Sequence, residues 1–408
     1  MLVDFSKLFG SSLFAKLLSL LLIPIITRIY NPNDYGEAAV ITSWILIIGS
    51  VISFRFFDAI PTIKSRRVIE VICQTSLIII ISNASILLVF LIYYGLFLDS
   101  EVINLFNSTL IFIGVIVYSL NELISICFVR FKEFNRLSLS QIVQSLLGNF
   151  FKVSFGFILS NVWPLVVGQV LQQSGNILLG KHYLLSLVRA RSSLKLKFKV
   201  LKKYIEYPMY RMPSRLLLVL SQHMTILILA SYFDQQYIGQ LSLVLTTVAI
   251  PVNLIAQNLR KLYYSKIGLL SDDLISIRLI TNKIVILSAL ISIFPSVILY
   301  FFSVELYTFV FGVEWELAGV IAKYFSISIV FTFISMTIID IFNVLNKLKF
   351  YLFFNMVRFI FVSLVILLSI NLNLDFKTVV ISYVCSLTIC MIMQIITSYY
   401  YIYRSINV

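Results

Sequence analysis

The chain has 408 residues, of which 60% are apolar and only 12% charged, about half the ~25% charged share of a soluble domain. A water-soluble fold cannot hide that much apolar surface, and disordered chains have the opposite composition, so a polytopic membrane protein is what remains. The formal net charge of +14 comes from 32 Lys and Arg against 18 Asp and Glu. In a membrane protein such an excess belongs to loops on one face of the bilayer rather than to a nucleic-acid surface. Cys73, Cys127, Cys385 and Cys390 fall inside apolar runs without metal-site spacing, and His182 and His223 are the only histidines. The sequence therefore predicts no metal and no cofactor.

Polar breaks divide the chain into twelve predicted spans, at 8–29, 37–57, 71–97, 105–128, 138–158, 163–184, 210–232, 239–259, 281–303, 317–341, 350–371 and 377–401. Each is ~20 residues or more, enough to cross ~30 Å of hydrocarbon as a helix. Their continuous apolarity does not suit the alternation of barrel strands. The first apolar run lacks a small-residue cleavage site and is read as a retained span. With both termini inside, the cytoplasmic connections and termini hold 21 basic residues, and the outer connections hold only Arg28 and Lys377 beside nine acids. That asymmetry fixes the predicted orientation.

The pattern repeats once. Asn-Pro-Asn-Asp-Tyr35-Gly36 after span one is echoed by Asp-Gln-Gln-Tyr237-Ile-Gly239 after span seven. Glu101-Val-Ile-Asn-Leu-Phe106 before span four is echoed around Glu305-Leu-Tyr-Thr-Phe-Val-Phe311 before span ten. These shifts of 202 to 204 residues are half the chain. Six spans per half is even, so the two repeats run parallel. The predicted fold is all-α: two pseudo-symmetric six-helix lobes, 1–188 and 207–408, around a central cavity and joined by a basic linker at 189–206. In the linker Leu194, Phe198 and Leu201 suit one helical face. It reads equally as an interfacial amphipathic helix with lysines on anionic headgroups and as a solvated connection.

The opening segment, from Lys16 through Pro24, Thr27-Arg28, Tyr30 and Pro32 to Asp34-Tyr35-Gly36, resembles the start of bacterial O-antigen and capsular polysaccharide flippases. These are Wzx-type members of the multidrug/oligosaccharidyl-lipid/polysaccharide exporter superfamily. The turn Phe311-Gly-Val-Glu-Trp-Glu316 and the Tyr207-Pro208 that opens span seven resemble the same family. Many members carry an Asp-Arg pair in span seven, where this chain reads Ser221-Gln222-His223-Met224, so no role of that pair transfers. The resemblance implies a MATE-like fold in the bacterial inner membrane and no enzymatic step. The implied cargo is an undecaprenyl-pyrophosphate-linked oligosaccharide, turned from the cytoplasmic to the periplasmic leaflet. Membrane lipids and other polysaccharide-assembly membrane proteins are the implied partners, and nucleic acid is not.

Ionisable groups inside spans cost at least ~2.5–3.5 kcal/mol each at mid-bilayer and face protein or water by default. Lys16, Arg55, Lys152, Arg211, Arg215, Lys323 and Arg358 outnumber Glu122 and Asp340, with Asp58 at a span end. The predicted interior is therefore net cationic, which suits an anionic cargo. Lys16, about eight residues into span one, is the leading predicted diphosphate contact, against a buried pairing with Glu122 or a carbonyl. Arg211 and Arg215, spaced to share a helical face, are the next, with snorkelling as their rival reading. Arg28 joins the substrate candidates at the outer end of span one. Arg55 joins them too, although Asp58 three residues on favours a local ion pair. Glu122 and Asp340 are candidates for ion coupling, with structural roles as the alternative. A multidrug/cation antiporter of the same superfamily is the competing function. A membrane enzyme is disfavoured by short outer loops and by the lack of a Ser/His/Asp or paired acid–base arrangement.

Overall fold

The computed structural model describes residues 2–97, 105–159, 161–183, 192–267, 273–345 and 347–406, which are helical with no strand. Asp99, the 101–104 part of the second echo, Arg189 and Arg191 lie outside the described residues. The chain divides into two compact units, Met1–Leu227 and Ile228–Val408. Among the described residues eight helices are long and apolar enough to cross a bilayer, coinciding with predicted spans three, four and seven to twelve. A helix satisfies every backbone N–H and C=O within the segment, which hydrocarbon requires. The protein is a multi-pass membrane protein.

Unit one begins with α1 (Leu2–Ile29) and α2 (Pro32–Val51). The Asn-Pro-Asn-Asp sequence starts α2 for a local reason. Asn31 accepts the Asp34 N–H at 2.8 Å, and Pro32 occupies the first turn, where its missing N–H costs nothing. A 3₁₀ turn, Phe56–Thr62, follows, then α3 (Arg66–Phe97), α4 (Leu105–Arg130) and α5 (Phe134–Gly156). Predicted span six is broken: α6 (Val162–Gln172) stops at Gln173-Ser174, and the chain resumes as the short α7 (Gly175–Leu179). The basic linker contains α8 (Leu194–Lys203). Predicted span seven opens with a π-helical turn, Tyr207–Arg211, before α9 (Met212–Ala230).

Helices α1 and α5 carry a polar seam. Ser19, Ser145, Asn149 and Gln172 are linked by hydrogen bonds of 2.9 to 3.0 Å across α1, α5 and α6. Lys152 Nζ donates to Gln169 Oε1 at 3.0 Å and to Gln172 Oε1 at 3.4 Å. A Cβ on Gly148 would lie 2.5 Å from the Gly168 carbonyl, so glycine lets α5 and α6 approach closely enough to close the seam.

Unit two holds α10 (Gln235–Ile267), α11 (Leu274–Phe311), a 3₁₀ turn at Val313–Trp315 and α12 (Glu316–Ile338). It ends with α13 (Ile341–Val344), α14 (Leu348–Asn371) and α15 (Phe376–Ile406). The 38 residues of α11 reach ~57 Å at ~1.5 Å per residue, well beyond the hydrocarbon thickness. The repeat reappears as a shared tie between equivalent helices. In unit one Asn107 at the start of α4 donates to Glu37 on α2 at 2.9 Å. In unit two Gln240 sits 203 residues after Glu37. Its amide donates to the Glu314 carbonyl at 2.6 Å and accepts the Ala318 N–H at 2.8 Å, joining α10 to the start of α12.

Candidate functional site: a charge cluster in unit one

The cluster starts where α2 stops. Phe54 and Arg55 have φ of 51° and 56°, a left-handed conformation that costs side-chain-bearing residues of order 1–3 kcal/mol each. The bend turns the Arg55 side chain inward, where it is 10% exposed. Its guanidinium is spent on both sides. Nε and Nη2 donate to the two Asp58 oxygens at 3.0 and 2.9 Å, and Nη1 donates to Glu122 Oε2 at 2.5 Å. The Phe57 ring lies 4.8 Å from Arg55 Cζ. Charge-assisted bonds of this kind hold a strained backbone that the sequence alone would not favour.

Glu122 bridges two arginines. Its Oε1 accepts Arg215 Nη2 from α9 at 3.4 Å, while the same Nη2 donates to the Tyr118 hydroxyl at 3.0 Å. Tyr118 lies one turn before Glu122 on α4, with its ring over Gly49 of α2. A Cβ there would stand 2.7 Å from the Tyr118 Cδ1. Arg215 Nε is buried and has no hydrogen-bond partner. Two carboxylates thus balance two guanidinium groups, and Arg215 keeps an unspent donor.

A π-turn leads into the two arginines. Met212 N–H bonds the Tyr207 carbonyl five residues back, one residue further than in an α-helix. Pro213, lacking an N–H, cannot donate to Met209 and thus cannot help restore α-helical pairing there. Arg215 is half-buried in the cluster, and Arg211 is exposed at its rim, near enough to act electrostatically on Asp58.

Elsewhere the predicted candidates scatter. Lys16 is half-buried on α1, and Arg28 is exposed in its last turn. Both Glu122 oxygens are taken by Arg55 and Arg215. Asp340, in unit two, is held by Arg260 of α10 in a fork, with Nε to Oδ2 at 2.8 Å and Nη2 to Oδ1 at 2.7 Å. Neither acid is a lone carboxylate. His223 Nδ1 lies 3.3 Å from Ser43 Oγ within unit one. Sequence reading missed Tyr118 and Arg260 as site-forming residues. The signals were present: Tyr118 precedes Glu122 by four, and Arg260 follows Arg55 by 205 residues, close to the repeat shift. Among the described residues no group of three or more His, Cys, Asp or Glu side chains could hold a metal ion.

A family model described as polysaccharide biosynthesis protein matches residues 25–319. The chain belongs to that family. No curated protein sequence matches significantly. A multidrug resistance MATE family transporter of the MOP superfamily, solved inward-facing, superposes with a TM-score of 0.71 at 12% identity, covering 95% of each chain. The lipid II flippase MurJ, in an inward closed conformation, gives 0.69 at 16% identity over 98% of this chain and 87% of that one. A MOP superfamily transporter from Pyrococcus furiosus, whose reversed binding-pocket polarity suggests a different function, gives 0.55 at 12% over 98% and 94%. At these identities the likeness establishes the fold, which is MATE-like, and no more. The solved proteins sharing it are transporters and a flippase.

Proposed function

We propose that this family member translocates an undecaprenyl-pyrophosphate-linked oligosaccharide, of O-antigen or capsule type, from the cytoplasmic to the periplasmic leaflet of the bacterial inner membrane. In this reading both termini are cytoplasmic, the lobes 1–188 and 207–408 alternate access, and no covalent step occurs. The observation that carries it is the Arg55–Asp58–Glu122–Arg215 cluster with Arg211 at its rim. A diphosphate offers several oxygens, and a planar guanidinium binds two at once. Arg215 has the loosest contact in the cluster, its 3.4 Å bond to Glu122, and a buried Nε–H still to spend. A diphosphate can therefore replace Glu122 on Arg215 while Glu122 stays held by Arg55, so the site opens without leaving a carboxylate unpaired. Lys16 and Arg28 lie on the first helix and would serve the diphosphate deeper in the lobe and at exit. Pairing of both Glu122 and Asp340 with arginine argues against the cation antiporter, which needs a carboxylate available to its cargo.

The decisive experiment compares the lipid-linked oligosaccharide pool in cells lacking the protein with that in complemented cells. Accumulation of undecaprenyl-pyrophosphate-linked units with loss of surface glycan is the expected result. An unchanged pool with normal surface glycan sinks the proposal. In the same assay Lys16→Ala is expected to abolish transport at unchanged membrane abundance. Arg215→Ala should do so more completely than Arg215→Lys, which keeps the charge but loses the fork.

A further inference from the structure

The linker helix α8 carries five lysines and no acid over Leu194–Lys203. Ser193 caps it by accepting the Leu196 N–H at 3.4 Å, and Ser192 ties it to Gln74 of α3 through a 2.5 Å hydrogen bond. One row of side chains faces the protein: Val200 is 6% exposed, and Leu196, Leu201 and Tyr204 pack partly buried on the same core. Of the three residues that the sequence marks as one apolar face, Leu201 joins that row and the other two do not. Leu194 and Phe198, one turn apart, are 81% and 75% exposed, and Lys195, Lys199 and Lys202 stand exposed beside them. The neighbouring start of α3 adds exposed Lys64, Arg66 and Arg67, with Glu70 engaged by Arg66 at 3.4 Å.

Water has no reason to receive a leucine and a phenylalanine side by side, and the protein covers the opposite face. An apolar pair bordered by lysines matches a layer whose depth is hydrocarbon and whose edge is negative. We infer that α8 is a docking surface for acidic phospholipid headgroups. Leu194 and Phe198 enter the headgroup–acyl boundary, and the lysines bind phosphates around them. Because α8 leads through Tyr204 and Tyr207 into the π-turn, this grip sets the depth at which Arg211 and Arg215 meet the membrane surface. The inference holds whatever the cargo is.

Hydrogen exchange of the full chain in nanodiscs tests it. In phosphatidylcholine containing roughly one-third phosphatidylglycerol, the 194–203 amides are expected to exchange about tenfold more slowly than in phosphatidylcholine alone. High salt should shrink that difference, because the attraction is screened. Replacing Lys195, Lys199 and Lys202 with Gln should erase it. Phe198→Ser should raise exchange in both lipids and provides a second variant if the triple replacement fails to insert. Equal exchange in the two lipids overturns the inference, as does full protection in the triple variant. Protection by inorganic phosphate in neutral nanodiscs would assign the lysines to a free anion and also overturn it.

Discussion

The contact between α2 and α4 in unit one and that between α10 and α12 in unit two start alike and finish differently. Each begins with a side-chain clamp, Glu37 with Asn107 and Gln240 with the Glu314 and Ala318 backbone. Each finishes with an arginine gripping an acid: Arg55, just past the end of α2, holds Glu122 of α4, and Arg260 of α10 holds Asp340, just past the end of α12. In unit two that grip is a closed fork between Arg260 and Asp340. In unit one the chain bends through two left-handed residues, adds Asp58, and recruits Arg215 and Tyr118. The same tie is a closed fastener in one repeat and keeps an unspent donor in the other. The difference lies in spare bonding capacity: Arg260 spends a matched pair of donors on two oxygens, whereas Arg215 retains a buried donor.

Substitutions can break or sharpen this contrast. The largest expected effect is Arg55→Ala, which leaves Asp58 and Glu122 with little compensation. A loss of about 3–5 kcal/mol is expected, seen as a lower unfolding midpoint and lower membrane abundance; stability near wild type would mean that the cluster is not cohesive. Next is Arg260→Ala, expected to cost about 1–3 kcal/mol because Asp340 becomes a buried acceptor without its fork. Asp340→Ala should cost less, since Arg260 is 41% exposed against 10% for Asp340 and can turn to solvent. The double variant should be less destabilised than the two singles together, with transport retained. Transport lost with stability intact would make unit two a second site and dissolve the comparison. The smallest effect belongs to Tyr118→Phe, about 0.5–1.5 kcal/mol for one hydrogen bond. Here stability should barely move while transport kinetics shift, because Arg215 is left still looser.

What the sequence made legible was local or periodic. Span positions follow from apolar length, the start of α2 from Asn31 and Pro32, and the Arg55–Asp58 pair from a spacing of three. The partners of Glu122 and Asp340 were not legible, because Arg55 and Arg260 lie 67 and 80 residues away in the chain. Only tertiary packing chooses among the many basic residues that far off. The break in span six was marked by the Ser174-Gly175 dipeptide, a turn signal, but the apolar length on either side reads as one span; the α8 face escaped because hydropathy marks an apolar row without saying what covers it. The spacing of Arg211 and Arg215 was legible as well, but the π-turn just upstream of them was not.

That π-turn makes angle a separately adjustable quantity. A helix advances about 100° per residue, so one extra residue in a turn acts as a fixed phase offset for everything downstream. Deleting a single residue within 207–211 would rotate the whole of α9 by that step, carrying Arg215 away from Glu122 and His223 away from Ser43 together. A compensating insertion just before Arg215 would restore the first pairing and, because the offset is shared, the second as well. In mechanical terms the turn is an indexing notch. It lets the chain retune the angular setting of one helix against a fixed neighbour without altering a single contacting side chain.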